Sequence, residues 1–471
     1  MLQRLRGRFA LALWDGETLL LARDAFGQEP LYYAAQGSEI WFASDVEALR
    51  EEGAPLGQFD RGALSDYLEL LYVPAPGTIW SGVRKLPAGH LLRAGEHGVE
   101  VRRWFDLPAP GSSAVRPSRI AVRARLEEAV RAGGAREASV LLGGDLPSLA
   151  LLALTTRRQG RTRSFTAGPD ALARRIADRF RSEHRELAVD APAELHRLLE
   201  PAPEPLGDAR ALVLAASLRA MDGAPVLTAA GADELFGGHP RYLQAQRLPH
   251  SHRAARAAEL LKAIAPERHR GSLQKAASAL GTQGAGRARA LVEVFSADER
   301  RALLGGHARS AQGATGLEST LGDAAIAFDL EVALPDGALA CLQAAAASAG
   351  VEVRAPFLDV KLAQTVVPAP ARHKLGRAHG NLLLREAVAD LLPRDALTPG
   401  PPAPLPLQAW LRGPLRTLLR DLAGSPSARI RTLFDPRAVD RVLRHSLLPR
   451  GDARQAFALL ALEIWVRARR R

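Results

Sequence analysis

The stretch Ala138-Ser-Val-Leu-Leu-Gly-Gly-Asp-Leu-Pro-Ser148 decides the fold. Ala138 to Leu142 reads as a short buried strand, Gly143-Gly144 makes a tight exit, and the spacing predicts a helix from Leu149 to Arg157. A strand, a glycine pair and a helix aim backbone N–H groups and a helix N-terminus at an anion, although the same turn also occurs with no ligand. Outward from it, Ile120 to Ala132 is an amphipathic helix, and Arg163 to Ala167 and Pro225 to Thr228 are further strands. Alternating strand and helix predicts a parallel sheet with helices on both faces, an α/β class. Beyond residue 250 the text is rich in Ala, Leu and Arg and reads as helical.

Upstream, Leu107 to Pro117 is rich in Pro, Gly and Ser and reads as a linker between domains at 1–106 and 118–471. The first of these is β-structure. Phe9 to Trp14 and Thr18 to Ala22 flank Asp15-Gly16, and Leu31 to Tyr33 and Ile40 to Ala43 flank Gly37-Ser38. Asp60 starts a helix with apolar residues at 64, 67, 68 and 71, and short strands are expected at Thr78 to Trp80 and His90 to Leu92.

The 471 residues exceed one small core, and 47% hydrophobic with 24% charged residues is globular composition. No apolar run reaches the ~18–20 residues of a membrane span, and nothing at Met1 resembles a leader, so a soluble, cytoplasmic protein without membrane contact is expected. The single cysteine, Cys341, leaves no internal disulfide and no cysteine-rich metal site, and no metal ligand set is expected. A net charge of +12 would suit nucleic acid if clustered, but the arginines are scattered and only five of the 63 basic residues are lysines, so no nucleic-acid partner is expected.

Seven collinear motifs then carry a resemblance. They are Leu5 to Asp15, Arg23 to Tyr33, Tyr72 to Gly77, Lys85 to Leu91, Gly231 to Gly238, Arg354 to Asp359 and Trp410 to Leu415. In this order they resemble the glutamine-dependent asparagine synthetase family, which also includes β-lactam synthetases and lasso-peptide cyclases. The resemblance implies an N-terminal-nucleophile β-sandwich with glutaminase chemistry. It further implies a PP-loop ATP pyrophosphatase domain that adenylylates a carboxylate, with ATP and Mg2+, for capture by ammonia or an amine.

Residue by residue, the chemistry thins out. The family's nucleophilic cysteine follows the initiator Met, where this chain has Leu2, so no glutaminase activity is expected. In the family's Ser-Gly-Gly-x-Asp-Ser loop, Gly143 and Gly144 persist while Leu142, Leu146 and Pro147 replace the polar groups; Asp145 is a displaced candidate for the loop acid. The family's adenylylation Glu is Ala230, in Thr228-Ala-Ala-Gly-Ala-Asp-Glu234. Asp233 and Glu234 remain, and a carboxylate pair opening a helix also serves as a cap. Cys341, Leu342, Gln343 and Ala344 stand for Lys-Val-Asp-Arg, Asn381 for a Lys, and Gly400 for the catalytic Lys.

By resemblance, Leu141, Gly143, Gly144, Ser148, Ala167, Thr228, Ala229 and Gly231 would surround the nucleotide, and Asp145, Asp208, Asp233 and Glu234 would form an acidic cleft. Glu204 to Asp208 resembles the family's Asp-Glu-Pro-x-x-Asp, or else starts a helix. The losses predict weak or absent ligase activity, or a scaffold role. The chain opens at what resembles the middle of the glutaminase domain, so Trp14, Trp41 and Phe42 are expected to be partly bare unless a second copy or a partner chain covers them.

Overall fold

The computed structural model describes residues 2–96, 98–134, 137–221, 225–247, 285–306, 320–400, 404–449 and 451–469. Of the helical stretch expected beyond residue 250, residues 251–284 lie outside the described residues.

The N-terminal part holds two antiparallel sheets. Strands β1 (Ala10–Trp14), β2 (Leu19–Arg23), β6 (His90–Gly95) and β7 (Gly98–Arg103) form one, in the order β1-β2-β6-β7; β3 (Tyr32–Gln36), β4 (Glu39–Ala43) and β5 (Arg84–Lys85) form the other, in the order β4-β3-β5. Leu21, Leu31, Leu86, Leu92 and Ala94 form a cluster that Tyr33 and Ile40 join, so apolar side chains of both sheets share one interior. The strand expected at Thr78 to Trp80 is absent. Trp80 makes only an isolated bridge to Phe59, because the Thr78 hydroxyl turns back to the Trp80 and Val83 carbonyls and folds the segment into a loop. The helix Arg61–Leu70 forms as its spacing predicts, with the Asp60 side chain accepting from the Ala63 N–H.

The second part is built on a five-stranded parallel sheet of β8 (Ser139–Leu142), β9 (Arg163–Ala167), β10 (Glu183–Leu187), β11 (Val226–Leu227) and β12 (Val353–Arg354), ordered β10-β9-β8-β11-β12. β8 and β11 are adjacent, yet the chain leaves β8 toward β9 and reaches β11 only after β10. Their carboxyl ends therefore flank a topological switch point, where open α/β sheets place ligands. Helix Leu146–Gln159 follows β8 and starts three residues earlier than its apolar spacing indicates, because the Asp145 side chain caps it and Pro147 fits its first turn. Among the described residues the remainder is mostly helical, ending in the helix Ala453–Ala468.

One core cluster runs through both parts. Tyr67, fully buried, donates its hydroxyl to the Ala458 carbonyl at 2.8 Å, and the Trp465 indole donates to Ala202 O at 2.8 Å. A buried ion cluster adds to this seam: Arg289 contacts Asp66 and Glu69 on helix Arg61–Leu70 at 2.5 Å, and Arg300 also contacts Glu69. No described helix is long and apolar enough to cross a membrane.

The outer strands are less covered. Trp14 is 62% and Leu13 44% exposed, and Phe42 is exposed as well. Trp41 differs in being half-buried against the cluster of Val46, Leu49 and Val83.

Candidate active site at the sheet switch point

The turn after β8 is closed on itself. The Asp145 carboxylate accepts the Ser148 N–H at 2.8 Å, and the Ser148 hydroxyl donates to Asp145 O at 3.1 Å. That same hydroxyl accepts the Gly143 N–H at 3.0 Å, so the amide best placed to meet a phosphate already has a partner. Gly144 has a φ of +69°, the left-handed conformation glycine tolerates, and a Cβ there would run into the Asp170 carboxylate. Leu142 and Leu146 point away from solvent into the core, and Pro147 has no N–H to offer.

The carboxylates around this turn raise Asp145. Burial, then the Asp233 charge and more weakly that of Asp170, push the Asp145 carboxyl up to about 6, against the Ser148 hydrogen bonds that pull it down. Asp233 is held by Asn381, whose side-chain amide donates to it at 3.1 Å from a left-handed backbone at φ +58°. A triphosphate needs donors and positive charge; around the turn the Gly143 amide and the Ser148 hydroxyl are already partnered, and the charged side chains, Asp145, Asp170 and Asp233, are all acidic. Those side chains do not suit the phosphates of ATP.

The loop after β11 has the same character. Thr228 is buried and its N–H donates to Arg354 O at 2.9 Å, Ala229 and Ala230 pack on the core, and Gly231 at φ +82° is the close-approach glycine, with Leu358 where a Cβ would stand. Helix Ala232–Phe236 has no side-chain cap at its N-terminus, so Asp233 and Glu234 do not serve as the caps that their position allowed. Leu141 is half-buried and Ala167 is exposed at the end of β9.

The four expected acidic residues separate into two groups. Asp145 and Asp233 face the turn after β8. Asp208 and Glu234 line a second cavity of about 730 Å³ together with Arg210, His239, Arg241 and Cys341. There every charge is paired: Asp208 with Arg210 at 2.5 Å, Glu234 with His239 at 3.0 Å, and Arg241 with Asp329 at 2.5 Å. Burial opposes the charge on Glu234, but the His239 partner outweighs it and holds the carboxyl low; the His239 imidazole is held correspondingly high. Burial pushes the Cys341 thiol up to about 12, the state of an unreactive thiol.

The remaining positions stand apart. Leu2 lies in a short turn at the other end of the molecule's sequence, half-buried, and Gly400 is exposed with open space around it. Gln343 and Ala344 line neither the turn nor the second cavity but a third space between the two parts of the chain, as does Glu204. Sequence reasoning missed His239, Arg241 and Asp329. Each lies outside the quoted family words, and their only sequence signal is a His five and an Arg seven residues after Glu234.

Comparisons with known proteins agree with this architecture. The asparagine synthase family model matches residues 121–467, and a glutamine amidotransferase domain model matches residues 1–105. A Mycobacterium tuberculosis protein named putative asparagine synthetase (glutamine-hydrolyzing) is 29% identical over 508 aligned positions, covering 99% of this chain and 77% of that one. Asparagine synthetase (glutamine-hydrolyzing) 1 of Bacillus subtilis is 22% identical, covering 89% of this chain and 71% of the relative. The carboxyethyl-arginine beta-lactam-synthase of Streptomyces clavuligerus is 29% identical over 50% of this chain and 47% of its own length. With a model of that family spanning most of its length over a PP-loop type sheet, the chain belongs to the asparagine synthase family.

Proposed function

We propose that this protein descends from ATP-dependent carboxylate-to-amide ligases, in which a small carboxylic acid is activated and captured by ammonia or an amine, and that it has weak or no ligase activity. The observation that carries the reading is the turn after β8: the Gly143 amide and Ser148 hydroxyl satisfy each other, and Asp145 caps the helix. Leu142 and Ala230 replace oxygen-bearing side chains at positions where the family resemblance places catalysis. Deleting one preorganised donor costs ~10²–10³ in rate, and several are missing together. ATP–pyrophosphate exchange by the folded chain, with aspartate or other carboxylic acids and ammonia, is expected to stay at background; exchange above it would overturn the reading.

A second reading, a scaffold subunit, is favoured by strand β1. Among the described residues this outer strand has only β2 beside it, is exposed at every position but Leu11 and carries no charge in Ala10-Leu-Ala-Leu-Trp14. The opposite edge, β7, is protected by Glu100, Arg102 and Arg103. Two copies of β1 paired antiparallel about Ala12 would set Leu11 against Leu13 and Ala10 against Trp14, with no like charges opposed. Sedimentation at micromolar concentration is expected to show a dimer that Trp14→Lys dissociates; a monomer, or a dimer unaffected by Trp14→Lys, would rule this out.

A further inference from the structure

β10 is an outer strand of the parallel sheet, and among the described residues it pairs only with β9. The Glu183 N–H donates to Thr162 O at 2.9 Å, and Leu187 O accepts the Gly168 N–H at 2.9 Å, so the odd-numbered residues of β10 turn their main-chain groups toward β9. His184 and Glu186 turn theirs outward, a donor and an acceptor each.

Arginines gather at the start of this edge. The Arg161 and Arg185 guanidiniums approach Glu183 at 3.9 and 3.5 Å. The Thr156 and Thr162 hydroxyls lie 3.2 Å apart, and the Ser182 hydroxyl donates to Thr162 O at 2.8 Å, which brings the chain at Arg157, Arg163 and Arg181 to the same end of the sheet. Helix Ala171–Arg179 ends there as well. Arg157, Arg179 and Arg181 are exposed, Arg163 is half-buried, and none of the four has an ion pair among the described residues. The carboxylates of this end among the described residues are Glu137, Asp178 and Glu183, so with Arg158 also present positive charge is in excess. An arginine in the last turn of a helix complements its dipole, which accounts for Arg157, Arg158 and Arg179. Arg161, Arg163 and Arg181 lie outside the helices, and Arg181 stands at φ +53°, a left-handed position where glycine or asparagine is usual.

We propose that the open edge of β10 takes up an extended acidic segment of a partner protein as a further strand, with its carboxylates on Arg161, Arg163 and Arg181. A peptide main chain supplies both donors and acceptors to His184 and Glu186, whereas a phosphodiester backbone supplies acceptors alone. Phe165 is buried and Phe180 half-buried, so neither ring is exposed for a base to stack on. Charged side chains guard an edge strand against unselected pairing, and an excess of one sign makes that guard selective for the other. This edge begins at the end of the sheet opposite the turn after β8, so the proposal stands or falls apart from the loss of ligase activity.

The test is fluorescence anisotropy of the full chain with a labelled octapeptide of alternating Glu and Val. Saturable binding that weakens as salt rises is expected, with none for the matching Lys and Val peptide. Methylating alternate peptide nitrogens removes main-chain donors and is expected to weaken binding about tenfold. The double variant Arg161→Ser, Arg181→Asn changes two exposed side chains, and asparagine suits the left-handed backbone, so the fold is kept while binding weakens about fivefold to tenfold. No saturable binding of the acidic peptide, or equal affinity for the methylated peptide or in the double variant, would overturn the proposal. Equal or tighter binding of oligothymidylate would overturn it in favour of a nucleic-acid surface.

Discussion

The seam between the two parts of the chain and the end of the parallel sheet treat polar groups in opposite ways. At the seam, charged groups are buried and spent on one another across elements far apart in sequence: Lys85 on Glu204, and Arg289 on Asp66 and Glu69. At the sheet end, the side chains are apolar, or polar and satisfied within their own turn, as Ser148 and Asp145 are. The charges at the seam join the two layers, while the polar groups of the turn after β8 close the turn itself. Packing and chemistry place their demands on different residues, so the two regions can vary independently.

The contrast is broken most directly at the seam. Lys85→Met leaves Glu204 and Asp336 buried without their cation, and removing one partner of a buried pair costs about 3–5 kcal/mol. Chemical denaturation should show that loss; a change under 1 kcal/mol would mean that the charges at the seam behave like surface ions. At the sheet end, Leu142→Ser restores the family's hydroxyl but removes a core side chain, and should cost about 2–4 kcal/mol by the same measurement, as large-to-small core changes do. A neutral result would show that Leu142 can leave the core and that the loop is not committed to packing.

The smallest effect sharpens the comparison through pH. The folded-state value for Asp145 is raised from 3.8 to about 6, so the folded protein holds the proton more tightly than the unfolded chain. Its contribution is fully present below 3.8 and is lost as pH rises through about 6. Asp145→Asn keeps an N-cap and removes the charge. The variant should gain stability relative to the parent as pH rises from 4 to 7 and level off above that. A gain independent of pH would mean that Asp145 is not desolvated and that Asp233 and Asp170 do not press on it.

Much of this was legible in the chain alone. Hairpin glycines, the Asp60 cap and the alternation of strand and helix after Pro117 are local signals, set by backbone sterics and apolar period, and they read through to β1–β4, the helix Arg61–Leu70 and the parallel sheet. Family membership was carried by collinear words, and the Leu142, Leu146 and Ala230 substitutions could be seen without coordinates. Tertiary structure alone decided where the charges went. Thr78 to Trp80 looked like a strand until its hydroxyl found two carbonyls, and Asp233 and Glu234 looked like caps until Asn381 and His239 took them. Glu204 and Asp208 stand four residues apart, yet one reaches Lys85 and the other Arg210, in two separate cavities. A side chain's local period says which face of an element it occupies; its partner, and so its charge state, depends on which distant segment the fold brings within about 3 Å.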